Sequence, residues 1–228
     1  MKIKDNIASE FNEFSKNYTN DVIRCVPHYL KLMSSFTEYL PQDFAPKNIL
    51  DLGCGNGNVT ARLLQLFPES CFTLLDASEE MINFCKEQFK AYKVEYVESY
   101  FKDYKFEDEQ YDLITAGFSL HHCNSEEKKI LFKGIYRSLK KGGIFACSDL
   151  MINKSKPEHS VLLGKWKSFV FESFPDGEKW EWLMEHYSEF DKPDDYNDQK
   201  QWLKEAGFND IRIPTADSYW AHIQVIKV

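Results

Sequence analysis

Short apolar runs and helical stripes alternate through the middle of the chain, and that rhythm predicts a parallel sheet layered with helices. Strands are expected at 48–52, 71–76, 94–98, 111–117 and 143–149, each bounded by turn residues or polar sequence. Helical stripes fall between them at 57–67, 79–90 and 126–139. With a further helix near 198–206 and strands at 208–213 and 219–227, the pattern predicts an α/β fold: a doubly wound, Rossmann-like, seven-stranded sheet with right-handed crossovers. Local chemistry supports the boundaries. Ser78, followed by Glu79 and Glu80, caps a helix whose core face is Met81, Cys85 and Phe89, and Asn124 with Glu127 reads as a capping box. Lys140-Lys141-Gly142-Gly143 reads as a helix C-terminus, with cations in the last turn and glycine beyond.

Two segments break the alternation. Phe11, Phe14 and Tyr18, then Val22, Val26, Tyr29, Leu30 and Met33, recur at helical intervals interrupted at Pro27, so two short helices are expected in an N-terminal arm. Residues 151–198 are rich in aromatics, with Leu162, Trp166, Phe169 and Val170 on one helical face and Trp180, Leu183, Met184 and Tyr187 on another. A helical cap insertion is expected, most of its aromatics packing on the domain and the rest walling a substrate cavity. The chain is then a single domain over 1–228: helical arm 1–45, core 46–150, insertion 151–198, and C-terminal helix and strand pair 199–228.

The sharpest chemical signal is Ile49-Leu50-Asp51-Leu52-Gly53-Cys54-Gly55-Asn56-Gly57, followed by Asp76 at the end of the next strand. A strand running into Gly-x-Gly-x-Gly calls for a sharp turn and a backbone without Cβ where a ligand approaches, and an acid one strand on can accept from both ribose hydroxyls. A dinucleotide fingerprint would put its third glycine where Asn58 stands. S-adenosylmethionine has no pyrophosphate to seat over that third glycine, so the spacing favours the sulfonium cofactor over a nicotinamide or flavin.

Charge narrows the partners. The net charge is −8, with pI near 5.3 and no Lys/Arg-rich run, which argues against nucleic acid. No apolar stretch reaches the ~20 residues of a membrane span and the N-terminus carries no signal-type apolar region, so a cytoplasmic protein is expected. Six scattered cysteines without a Cys-x-x-Cys pair read as reduced, mostly buried thiols, with Cys123 beside His122 as a reactive option.

The run from Ile49 to Leu150 resembles the class I S-adenosylmethionine-dependent methyltransferases, and roughly the full length resembles a branch that includes carboxy-S-adenosylmethionine synthase and related small-molecule methyltransferases. The matching pieces are Phe11…Tyr18…Arg24-x-x-Pro27-x-Tyr29, Asp51 to Gly57, Asp76 to Met81, Tyr111-Asp112, Ser119-Leu120-His121-His122, Leu139 to Gly143, and Trp202 to Phe208. The resemblance implies S-adenosylmethionine as cofactor. Gly53, Cys54 and Gly55 would line its methionine, with Asp51 beneath the loop. Asp76 would bind the ribose, and Ala77 and Met81 would flank the adenine. Ser99, Tyr100 and Phe101 fall in the loop where the branch usually meets the adenine amino group; Tyr100 replaces the customary Asp. Gly117 and Phe118 would lie along the sulfonium, with Tyr18 and Arg24 closing over it. The carboxy-forming relatives place an arginine where this chain has Trp202, which favours plain S-adenosylmethionine here.

Methyl transfer from a sulfonium needs alignment and exclusion of water, and a base only for a protonated acceptor. His121 and His122 follow the fourth strand at the sheet's carboxyl edge and are the catalytic candidates. Tyr29, Trp166, His186 and Trp202 are the candidates for binding the substrate. No metal is expected, because the six histidines show no zinc-type spacing. The expected partner is a small-molecule methyl acceptor presenting oxygen, nitrogen or sulfur, with a homodimer left open. Two other functions compete with a methyltransferase: a regulatory protein that binds S-adenosylmethionine without turnover, and an enzyme of the carboxy-S-adenosylmethionine synthase type.

Overall fold

The computed structural model describes residues 18–217 and 219–228. Seven strands form one sheet: β1 (Asn48–Leu52), β2 (Cys71–Asp76), β3 (Val94–Glu98), β4 (Tyr111–Gly117), β5 (Leu139–Leu150), β6 (Asp210–Asp217) and β7 (Trp220–Ile226), in the order β3-β2-β1-β4-β5-β7-β6. The first five are parallel, and β7 runs antiparallel to both β5 and β6. Chain progression goes outward one way from β1 and the other way from β4, so the crevice at their carboxyl ends is the switch point where ligands bind in open α/β sheets. Four of the five β1 residues are buried, because helices cover both sheet faces and leave no polar side for the strand to show.

Eight helices are described: α1 (Tyr18–Cys25), α2 (Tyr29–Glu38), α3 (Asn58–Leu66), α4 (Glu79–Gln88), α5 (Ser125–Ser138), α6 (Glu158–Ser173), α7 (Glu178–Glu189) and α8 (Tyr196–Ala206). The expected caps are present: Met81 N–H donates to Ser78 Oγ, and Asn124 and Glu127 close a reciprocal capping box at the start of α5. α5 and α8 pack on one face of the sheet, while the arm, α3, α4 and the cap helices α6 and α7 share the core on the other.

Two boundaries differ most from expectation: the strand expected at 208–213 is β6 at Asp210–Asp217, and the junction of α5 with β5 is moved. α5 stops at Ser138 and the chain enters β5 at Leu139 without a loop, so Lys140 to Gly143 belong to a strand rather than to a helix end. Leu139 pairs with Tyr111, the register then shifts before Leu113 meets Ile144, and Gly142 takes φ +80° within that irregularity. Lys140 spends its charge on Asp112 at 3.0 Å.

The arm is built into the core. Leu32, Met33 and Phe36 of α2 are almost fully buried, and Ser148 Oγ of β5 donates to Leu32 O at 3.0 Å. Trp166 of α6 ties arm to cap: its Nε1–H donates to Cys25 O at 2.6 Å, and its ring meets those of Trp180, Tyr187 and Trp220 edge-on at centroid distances of 5.3–5.8 Å. The helix expected around Phe11 and Phe14 lies outside the described residues.

Candidate active site

Gly53, Gly55 and Gly57 all adopt positive φ (63°, 52° and 81°), the turn that carries β1 into α3. Their roles differ. A Cβ at Gly53 would stand 2.4 Å from Ser119 Cβ, and one at Gly57 would stand 2.4 Å from the Phe89 ring, so both positions are closed by packing. A Cβ at Gly55 would meet nothing within 4 Å, because this residue faces an open cleft. Asp76, at the end of β2, holds the loop from the side: Oδ2 accepts from Gly55 N–H at 2.8 Å and Oδ1 from Ser78 N–H at 2.9 Å. Burial pushes the Asp76 carboxyl above its ordinary value, against the backbone N–H groups of Ser78, Gly55 and Ala77. Asp51 lies beneath the loop, with its carboxylate accepting from Thr60 Oγ1 at 2.6 Å and Thr115 Oγ1 at 2.9 Å; burial pushes its pKa up to about 6 despite these bonds.

The cleft at the switch point has a volume near 860 Å³. Gly53, Cys54, Gly55, Asp76, Ala77 and Met81 line it, as expected. So do Ser99, Tyr100 and Phe101 after β3, Gly117 and Phe118 after β4, and Tyr29 of α2, whose hydroxyl accepts from Asn58 Nδ2 at 2.8 Å. A second cavity of about 110 Å³ lies behind the first, between the arm, the cap and the end of β5. Trp166, His121 and His186 line it. Phe118 and His122 border both cavities and form the wall between them. Phe118 holds φ +55°, an unusual backbone for a bulky residue, pinned by its N–H to Ser148 O at 2.8 Å.

Ionisable side chains gather at that wall. His121 and His122 lie in a short 3-10 turn after β4, His186 comes from α7, and Asp191 follows α7. His121 Nδ1 is hydrogen-bonded to Asp149 Oδ1, and Asp149 Oδ2 accepts the His121 backbone N–H at 2.9 Å. Burial pulls the His121 imidazole down, but the carboxylates of Asp149 and Asp191 outweigh it and the net shift is upward. Burial, seconded by the charge of His121, lowers His122 to about 4. Asp191 is pushed up by burial, yet the neighbouring imidazoles of His121, His122 and His186 bring it well below the carboxylate range.

Four expectations need correction or setting aside. Arg24 lines neither cavity: its Nη2 donates to Ser173 O at 2.7 Å and its guanidinium stacks 4.0 Å over Phe174, so it joins arm to cap. Trp202 lines neither cavity; it sits on α8, which packs against α5, with Lys129 Nζ 5.2 Å over its ring. An aromatic on the core-facing side of a C-terminal helix is packing, and discrimination against a carboxylated cofactor does not rest on it within this chain. The Tyr18 side chain lies outside the described residues, although its backbone opens α1. Cys123 is no thiolate either, since burial pushes its thiol up to about 12.

Sequence reasoning missed Asp149 and Asp191. Asp149 left one signal, an acid closing an otherwise apolar strand. Asp191 left none, since only the return of the chain after α7 brings it to the histidines.

Against known proteins, the family model for a methyltransferase domain matches residues 49–143. The chain is 28% identical over 174 residues to a ubiquinone/menaquinone biosynthesis C-methyltransferase of Pseudoalteromonas translucida, covering 71% of this chain and 66% of that protein. It is 26% identical over 212 residues to the carboxy-S-adenosyl-L-methionine synthase of Nautilia profundicola, covering 90% and 88%. Its fold matches human N-acetylserotonin methyltransferase, solved in complex with S-adenosylmethionine, at a TM-score of 0.62 and 17% identity over 96% of this chain and 56% of the human one. These matches support a class I S-adenosylmethionine-dependent methyltransferase, an enzyme using S-adenosylmethionine, with the family model itself confined to residues 49–143. It spans about two thirds of the Pseudoalteromonas protein and a little over half of the human one.

Proposed function

We propose that this enzyme methylates a small hydroxylated aromatic acceptor held in the inner cavity, with the methyl group of S-adenosylmethionine presented from the outer cleft. The observation that carries this reading is the shared wall: Phe118 and His122 border both cavities, so donor and acceptor meet there. The acceptor's electron pair forms the new bond to the methyl carbon, sulfur leaves with the electrons of the old one to give S-adenosylhomocysteine, and the proton the acceptor gives up passes to the uncharged His122 imidazole at the wall. The protein's part is to align these atoms and keep water out.

In this reading Asp76 takes the ribose hydroxyls, Gly55 gives the methionine close backbone approach, and Tyr100 or Phe101 stacks near the adenine. Trp166, Trp182 and Trp220 give the inner cavity flat apolar walls, suited to a ring. His121, His122 and His186 form its polar corner and orient the acceptor's hydroxyl. The Pseudoalteromonas relative is named as a C-methyltransferase of ubiquinone/menaquinone biosynthesis, which is in keeping with a ring as the class of acceptor. The small inner volume favours a compact molecule over a long-tailed one, and among the described residues no helix is long and apolar enough to cross a membrane.

The test is incubation with methyl-labelled S-adenosylmethionine and two acceptor sets, compact hydroxylated aromatics and their long-chain counterparts. Label in a compact product supports the proposal. Label only in long-chain products or macromolecules refutes the size argument, and tight cofactor binding without any transfer favours a binding protein.

A further inference from the structure

Three imidazole nitrogens surround one carboxylate oxygen at the inner cavity wall. His121 Nε2, His122 Nδ1 and His186 Nε2 stand 3.7, 3.2 and 3.4 Å from Asp191 Oδ1. Ligand-type atoms of His121, His122 and Asp191 all lie within 4.8 Å of one another. Asp191 Oδ1 is buried and has no well-formed hydrogen bond despite this company. Atoms coordinated tetrahedrally at about 2.0–2.1 Å lie about 3.4 Å apart, which is the spacing found around Asp191.

We infer that His121, His122 and Asp191, with His186 beside Asp191, bind a divalent first-row transition cation of the zinc or iron(II) class. Imidazole with carboxylate suits these ions, whereas magnesium and calcium prefer sites built from oxygen. The surroundings are organised for the task. Asp149 engages His121 Nδ1 and leaves Nε2 turned toward Asp191, as a carboxylate does behind a metal-binding histidine. The Asp191 segment is clamped: Lys154 Nζ donates to Tyr187 O and Asp191 O at 2.8 and 2.6 Å. Buried Lys128 Nζ donates to Lys192 O and Asp194 Oδ2, both at 2.6 Å. Lys192 N–H closes the clamp on His121 O at 2.6 Å. Asp149 and Asp191 supply two carboxylates to offset a divalent charge. The three proposed ligands line the inner cavity and leave a fourth position open to a small molecule there, as catalytic rather than structural sites do. The inference concerns the ion alone and holds for any methyl acceptor.

The test uses tag-free, chelator-stripped, full-length protein titrated with cobalt(II) chloride, followed by visible absorption and equilibrium dialysis. One equivalent should bind in the micromolar range or tighter, with the ligand-field bands of a four- or five-coordinate nitrogen and oxygen site. Asp191→Ala and His122→Ala should each abolish that signal, and Asp149→Asn should weaken binding about 10- to 100-fold, the scale for a carboxylate behind a ligand. Calorimetry with S-adenosylmethionine reports whether each variant keeps its fold and cofactor cleft; should Asp191→Ala fail it, His121→Gln carries the same test. Absence of saturable binding, binding indifferent to these substitutions, or a thiolate charge-transfer band from a cysteine such as exposed Cys71 would each overturn the assignment.

Discussion

The outer cleft and the inner cavity share Phe118 and His122 but are built in opposite ways. The cofactor end of the cleft is formed by turns at the ends of consecutive strands: the glycine turn after β1, Asp76 and Ala77 after β2, Ser99 to Phe101 after β3, and Gly117 after β4. The inner cavity is made of side chains from α1, α6, α7, β7, the turn after β4 and the stretch after α7. Backbone cradles depend on local conformation and tolerate little change. A side-chain chamber depends on packing between distant segments, so its contents can be altered while the sheet stands. One scaffold can thus keep its cofactor and change its acceptor.

Perturbing one region should therefore leave the other intact. The largest effect is expected from Trp166→Ala, which removes the ring at the centre of the roof and its bond to Cys25 O. It should cost about 3–5 kcal/mol of stability, the usual range for a buried aromatic. Thermal unfolding should show that loss, while affinity for S-adenosylmethionine below the melting range stays within about threefold. A parallel collapse of cofactor affinity would show that the two regions are coupled.

Gly55→Val is the converse. Its Cβ meets no protein atom, so the fold should survive, with about 1–3 kcal/mol of backbone strain from the positive φ. The added side chain projects into the cleft, and calorimetry should detect no cofactor binding. Unchanged affinity would remove Gly55 from the site.

Asp76→Ala should be milder. Loss of charge-assisted bonds to the ribose is worth about 1.5–3 kcal/mol, or at least tenfold in affinity. The Gly55 and Ser78 N–H groups also lose their acceptor, so some loosening of the loop should accompany it. A smaller loss would mean that another group holds the ribose.

The same contrast explains what could be read from the chain. β2, β3 and β4 fall on the expected residues because each is a compact apolar run between turn signals. The glycine turn was legible because positive φ restricts residue choice so strongly. The start of β5 was not, since lysines followed by two glycines read equally well as a helix end or as a bulged strand, and only pairing with Tyr111 decides. Arg24 was misplaced because a cation on an arm can turn to a ligand or to a carbonyl, and Ser173 O lies far along the chain. Trp166 and His186 reach the inner cavity, for an aromatic-rich insertion has few places to go. Their convergence with Asp191 was invisible, because helix packing rather than spacing creates it.

The central claim is that the sulfonium faces the wall shared by the two cavities. A crystal structure with S-adenosylhomocysteine tests it most directly. The account predicts the ribose hydroxyls on Asp76, the methionine along Gly53 to Gly55, and the sulfur turned toward Phe118 and His122. A ligand with its ribose away from Asp76, or with its sulfur directed to the Lys102 and Arg137 end of the cleft, would contradict it.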